Sequence, residues 1–204
     1  MCIRDRDTSA AWGKFLGGLV FSIAVLLIVF IGSELFTGNN LIMAFGAYDR
    51  AVSWGQTVKV WIVSYIGNFV GCFVFAGIWV LAGTSGAQDY LAGIIGGKLS
   101  IEPGEMFFRA VLCNFFVCLA VACGTKCKEE TAKFLMIVIC ISGFVISGFE
   151  HCIANMALFT AVGFTASGVS ISSMLFSMLI VTLGNMVGGA VLLALPLRKM
   201  SADK

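Results

Sequence analysis

The sequence predicts an all-α integral membrane protein built from two inverted repeats, each carrying one broken membrane helix. Three observations lead there. The chain of 204 residues is 59% hydrophobic and only 12% charged, with a mean hydropathy of +1.00. A water-soluble domain of that length has too little interior to hide so much apolar surface. Apolar runs of about 20 residues recur along the chain, each enough for a helix to cross a hydrocarbon core. Two of these runs contain the same polar words, "GSELFTGNN" (Gly32–Asn40) and "GFEHCIANM" (Gly148–Met156).

Spans are expected at about 12–32, 58–82, 107–123, 133–149 and 171–195, with the long stretch 83–105 read as a loop. No run alternates as an outer-membrane barrel strand would. The 24 glycines suit helices that pack closely in lipid. Positive charge sets orientation. Arg50 and Lys59, then Lys126, Lys128 and Lys133, then Arg198, Lys199 and Lys204 fall on one set of connections. The other set holds Lys98 and Arg109 beside Asp89, Glu102 and Glu105. The first set faces the cytoplasm, so the C-terminus is expected inside a cell (cytoplasmic, inner) membrane. Trp12 and Trp79 fall near outer ends, Trp54 and Trp61 near inner ends, as aromatic belts do.

The net charge of +2, with no basic run, excludes a nucleic-acid partner. The eight cysteines mostly sit inside apolar runs and read as small buried hydrophobes. Cys123 and Cys127 in "CGTKC" lack a second ligand pair, and one histidine cannot build a multi-ligand metal centre. An intramembrane metalloenzyme using Glu150, His151 and Cys152 is therefore rejected, and neither a metal nor another cofactor is expected.

The duplicated words form a longer repeat. Gly32, Glu34 and Asn39 match Gly148, Glu150 and Asn155 at an offset of 116 residues. "GNFVG" (Gly67–Gly71) matches "GNMVG" (Gly184–Gly188) at an offset of 117. The span at 107–123 has no counterpart, because subtraction places its partner at about −9 to 7. The chain is thus expected to be an N-terminally truncated copy of a six-span protein, with five of the six helices present. Three spans per repeat make the two copies inverted in the membrane. Residues 1–11 are read as a polar remnant foreign to the fold, 12–200 as the transmembrane domain, and 201–204 as a cytoplasmic tail. The repeats cover about 12–82 and 107–195.

The repeated words also break their helices. Residues 12–47 are almost continuously apolar; a straight helix of that length would measure about 54 Å, against a core of about 30 Å. Irregular backbone at that depth survives only against protein or along a water-filled path. A carboxylate and an imidazole buried there mark a functional site by default.

At "GSELFTGNN", "CNFFVCLAV", "SGFEHCIANM" and "VTLGNMVGG" the sequence resembles the formate/nitrite transporter family, which includes hydrosulfide channels. The resemblance covers the chain from about residue 12. It implies an aquaporin-like bundle whose second and fifth helices are broken, assembled as a homopentamer with one anion path per protomer. It makes His151 the central pore histidine, Glu150 its neighbouring carboxylate, and Thr37 the residue facing it from the first break. Val25, Leu35 and Phe36 would form the cytoplasmic constriction, and Phe21 and Phe144 the outer one. Asn114 and Asn185 match polar pore-side positions, although such amides can instead join helices. Glu34, with Asn39, would tie the first break together as Glu150 and Asn155 tie the second. The resemblance also leads one to expect a pore-side lysine on the first helix, which no residue here supplies.

Two apolar rings around a polar pocket suit a small monovalent anion of a weak acid, such as formate, nitrite or hydrosulfide. The rings exclude hydrated ions, and His151 can donate a hydrogen bond or a proton inside. An aquaporin-type neutral-solute channel would need Asn-Pro-Ala at both breaks, and neither "TGNN" nor "IANM" contains proline. A third reading is a fragment that does nothing alone.

Overall fold

The computed structural model describes residues 3–83, 87–163 and 170–202, with side chains from Trp12 onward apart from those of Asp89 and Ala202. Among them all regular structure is helical: α1 (Ile3–Ile31), α2 (Phe36–Tyr48), α3 (Trp54–Leu81), α4 (Gln88–Leu99), α5 (Pro103–Lys126), α6 (Glu130–Ile146), α7 (Cys152–Gly163), α8 (Ile171–Met186), a π-helical segment (Val187–Ala194) and α9 (Leu195–Ala202). Helix α1 begins at Ile3, so it takes in the polar residues from there to its apolar stretch. The connection 164–169 lies outside the described residues.

Among the described residues, four helical stretches are long and apolar enough to cross a membrane: Trp12–Ile31, Trp54–Leu81, Pro103–Lys126 and Ile171–Ser201. The span expected at 133–149 instead ends at Ile146; its 17 residues reach only about 25 Å. It breaks at Ser147–His151, and α7 continues the apolar path, as α2 continues α1 after Gly32–Leu35. The stretch read as a loop, 83–105, contains α4. Leu91, Ile95 and Leu99 stand four residues apart and form one stripe against Phe159, Val162 and Met174. That packing folds a segment too short to span.

Both breaks are made in the same way. Gly32 ends α1 at φ +78°, and Gly148 ends α6 at φ +68°. The next N–H in each case reaches back to a carbonyl of the last turn, Ser33 to Ile28 at 3.1 Å and Phe149 to Phe144 at 3.2 Å. This is the left-handed helix stop that glycine adopts without steric penalty. The side chain of Asn39 donates to Glu34 Oε2 at 2.7 Å, and that of Asn155 to Glu150 Oε2 at 2.7 Å. An asparagine of a neighbouring helix then clamps each gap. Asn68 of α3 accepts from the Phe36 N–H (2.9 Å) and donates to the Glu34 carbonyl (3.1 Å). Asn185 of α8 accepts from the Cys152 N–H (2.8 Å) and donates to the Glu150 carbonyl (3.0 Å). Backbone groups that a broken helix orphans in lipid are thereby satisfied by side chains.

Gly148→Ala is expected to lower stability by about 1–2 kcal/mol, because a β-carbon is placed in left-handed backbone. The control is Gly143→Ala within α6, where a Cβ would lie 3.8 Å from Phe116, an ordinary contact. Thermal melts in detergent should separate the two variants.

Candidate functional site

The two breaks meet through one hydrogen bond. Thr37 opens α2 and His151 immediately precedes α7; Thr37 Oγ1 and His151 Nε2 lie 3.1 Å apart. Thr37 is fully buried and His151 is 4% exposed. The Ala154 N–H donates to His151 Nδ1 at 3.1 Å. That bond occupies the Nδ1 lone pair, so the network assigns the proton of a neutral imidazole to Nε2, which donates to Thr37. The Thr37 hydroxyl hydrogen is then free to serve another acceptor. The Cys118 thiol holds the Thr37 carbonyl at 3.2 Å, fixing this turn of α2 against α5.

Aromatic rings flank the imidazole. Phe144 of α6 stacks on it with centroids 6.0 Å apart and planes 20° from parallel. Phe21 of α1 meets it edge-on at 6.2 Å and meets Phe144 edge-on at 5.7 Å. Val25 stands one turn beyond Phe21 on α1 and packs with Leu35 in the same apolar cluster. Val117 of α5, fully buried, joins them there. Phe36 does not. It turns to the opposite side of the chain, into a second cluster, and packs edge-on against Tyr65 at 4.9 Å.

Beside the histidine, Glu150 is 3% exposed. Lys98 Nζ reaches both of its carboxylate oxygens at 2.9 Å. Lys98 ends α4, so the segment read as a loop delivers the cation to the site. A cavity of about 710 Å³ opens onto this group, lined by Phe21, Cys72, Lys98, Phe144, Glu150 and His151 among others. It is largely apolar, with a few convergent polar groups, as small-ligand sites are.

Asn114 and Asn185 back the second break from α5 and α8. Both are fully buried. Asn114 donates to the Asn185 carbonyl at 2.6 Å, and Asn185 donates to the Ala110 carbonyl at 2.8 Å as well as clamping the second break. Their amides join α5 to α8. Glu34 and Asn39 bond one another in the first break, and the Asn39 carbonyl accepts from the Trp61 indole at 3.0 Å. Among the described residues no group of three or more His, Cys, Asp or Glu side chains could hold a metal ion.

Comparisons with known proteins agree with this architecture. The model of the formate/nitrite transporter family matches residues 2–198. The formate channel FocA of Haemophilus influenzae is 34% identical over 214 residues, covering 92% of this chain and 75% of its own length. A probable formate transporter of Methanothermobacter thermautotrophicus is 38% identical over 200 residues, covering 89% and 73%. The nitrite transporter NirC of Escherichia coli is 34% identical over 183 residues, covering 87% and 68%. Among solved structures, an FNT family ion channel superposes with a TM-score of 0.82 at 32% identity, over 90% of this chain and 76% of that one. A pentameric formate channel with formate bound gives 0.80 at 30% identity, over 94% and 84%. With its repeated words, its twice-broken bundle and these matches, the chain belongs to the formate/nitrite transporter family.

Proposed function

We propose that the protein passes small monovalent anions of weak acids, namely formate, nitrite and hydrosulfide, across the cell membrane. The observation that carries this reading is the Thr37–His151 hydrogen bond joining the two breaks between apolar walls. Phe21 and Phe144 form the constriction on the Lys98 side, and Val25 and Leu35 the one beyond it. Phe36 acts instead as an anchor of α2. Lys98, paired with Glu150, presents its remaining ammonium N–H to the cavity as a donor for an entering anion. At the centre, His151 Nε2–H and the Thr37 hydroxyl offer hydrogen bonds to an anion that has shed its water. Transfer of a proton to the anion would leave a neutral acid, which crosses the remaining apolar wall far more cheaply.

Asn114 and Asn185 hold the frame in this reading rather than touching the anion. Glu34, Asn39 and Asn155 fix the shape of the breaks. The protein works as a homopentamer with one path per protomer, a reading supported by its likeness to a solved pentameric formate channel. The distribution of Lys and Arg orients the C-terminus toward the cytoplasm.

The test is formate and nitrite uptake by liposomes holding parent or His151→Ala protein. Loss of a hydrogen bond to a charged group, worth about 1.5–3 kcal/mol, should slow uptake about 10–100-fold. Unchanged uptake at equal folded protein would remove His151 from the path.

A further inference from the structure

The turn after α2 places an arginine where a helix stop favours glycine. Helix α2 ends at Tyr48 with Asp49 as its cap. The Arg50 N–H reaches back to the Ala47 carbonyl at 3.1 Å, and the Ala51 N–H to that of Gly46 at 2.9 Å. This paired closure needs left-handed backbone, which Arg50 supplies at φ +60°. It is the one residue other than glycine in that region among the described residues. A β-carbon makes such backbone costly, so the position is a candidate for function. Yet no ion pair or hydrogen bond joins the Arg50 guanidinium to the described residues. The neighbouring acid is already taken, with Asp49 Oδ1 lying 2.7 Å from Arg198 Nε of α9.

Arg50 lines a recess of about 670 Å³ together with Tyr48, Ser53, Trp54 and Gln56. The Ser53 hydroxyl accepts from the Gln56 N–H at 3.2 Å and keeps its own hydrogen to donate. The rings of Tyr48 and Trp54 meet edge-on at 5.3 Å. From this recess an apolar stripe runs along α3. Trp54, Val58, Ile62 and Ile66 stand four residues apart and are 45% to 55% exposed. From Trp54 to Ile66 the stripe covers about 18 Å. That is a little more than one leaflet of a hydrocarbon core about 30 Å thick.

We propose that this corner of the protein seats an anionic phospholipid of the leaflet on the α9 side of the membrane. The Arg50 fork takes the phosphate oxygens, and the Ser53 hydroxyl donates a further hydrogen bond to them. The Trp54 indole sits at headgroup depth, as interfacial aromatic residues do. One acyl chain then follows Val58, Ile62 and Ile66. An unpaired cation at the head of an apolar stripe matches a molecule that is anionic at one end and apolar along its length. A soluble anion leaves the stripe unused. A zwitterionic headgroup carries its own cation and leaves the arginine charge uncompensated. The inference goes beyond the anion-passage reading and does not depend on it.

The test follows melting temperature in detergent as phosphatidylglycerol, phosphatidylcholine with the same acyl chains, or inorganic phosphate is added. It compares the parent with Arg50→Gln, Arg50→Gly and, as a control on another exposed loop, Lys128→Gln. Phosphatidylglycerol should raise the melting temperature of the parent, and the other two additives should leave it unchanged. Glutamine keeps the left-handed strain but removes the charge. Arg50→Gln should therefore need about tenfold more phosphatidylglycerol for the same rise, the scale of one lost charge-assisted hydrogen bond. Arg50→Gly should melt no lower than the parent without lipid, because glycine fits the turn, and should lose the lipid response as well. Lys128→Gln should respond as the parent does. Phosphatidylcholine or inorganic phosphate acting as strongly as phosphatidylglycerol would overturn the proposal, as would an Arg50→Gln protein that responds like the parent. An assembled oligomer whose melting phosphatidylglycerol does not shift would also overturn it, and would give the stripe to contact between copies of the chain.

Discussion

Lys98→Met is expected to destabilise the protein by about 3–5 kcal/mol, the scale found when one partner of a buried ion pair is removed. Lys98 Nζ bonds both Glu150 oxygens at 2.9 Å, and the Glu150 side chain is 4% exposed against 20% for the lysine. Removing the ammonium strands a buried carboxylate. Only Asn155 still donates to it. Neutralising both partners, Lys98→Met with Glu150→Gln, should recover most of the loss, because the pair's own net contribution is small once desolvation is counted. Melting the single and double variants in detergent measures this coupling directly. A single variant as stable as the parent would show that the pair is solvated and idle. The double variant should remain poor at anion uptake even when its stability returns, since the cavity has lost the Lys98 ammonium as a hydrogen-bond donor.

Asn185→Leu is the second large effect. The parent side chain makes three buried hydrogen bonds, to the Cys152 N–H and to the Ala110 and Glu150 carbonyls. Leucine fills similar space, orphans the Cys152 N–H and the Glu150 carbonyl at the break, and leaves the Ala110 carbonyl only its bond within α5. At about 1–3 kcal/mol for each buried group left unpaired, the loss should reach about 3 kcal/mol or more. Asn68→Leu breaks the repeat-equivalent clamp, but the Asn68 bond to Glu34 lies at an exposed edge. Its cost should be markedly smaller. Equal melting temperatures for the two variants would contradict the claim that burial, and not the bond pattern alone, sets the strength of each clamp.

The comparison of the two clamps shows what could be read before any coordinates. The words around Glu34 and Glu150 already located both breaks, and the match of "GNFVG" to "GNMVG" marked the repeat, but that Asn68 and Asn185 bridge the breaks is seen only in the structure. A repeat constrains three-dimensional pairing because each copy must solve the same problem, which is to satisfy a broken helix in lipid. The asymmetry of the repeat was equally legible. His151 corresponds to Leu35, and Thr37 to Ile153, so the polar pair at the centre comes from unlike positions in the two copies.

Lys98 was not found as a site residue. It lies 52 residues before Glu150 in a glycine-rich stretch that reads as a loop, and its pairing is purely tertiary. The one available signal was the Leu91, Ile95 and Leu99 stripe, which announces a short docked helix ending beside a lysine. Phe36 shows a local limit: it follows Leu35 in sequence, but at the start of α2 the two side chains enter different clusters. Asn114 and Asn185 illustrate a third limit. Polar residues on membrane helices can face a pore or a neighbouring helix, and only the carbonyls they reach decide between these.

The most direct measurement is the selectivity of the reconstituted parent protein. Liposomes containing it would be challenged in turn with formate, nitrite, hydrosulfide, sulfate and glycerol, and uptake compared with protein-free vesicles. The account predicts rapid entry of the three small weak-acid anions, with sulfate and glycerol held at the protein-free rate. Glycerol entry at a rate matching or exceeding that of formate would contradict it, as would exclusion of all three anions by correctly assembled oligomers.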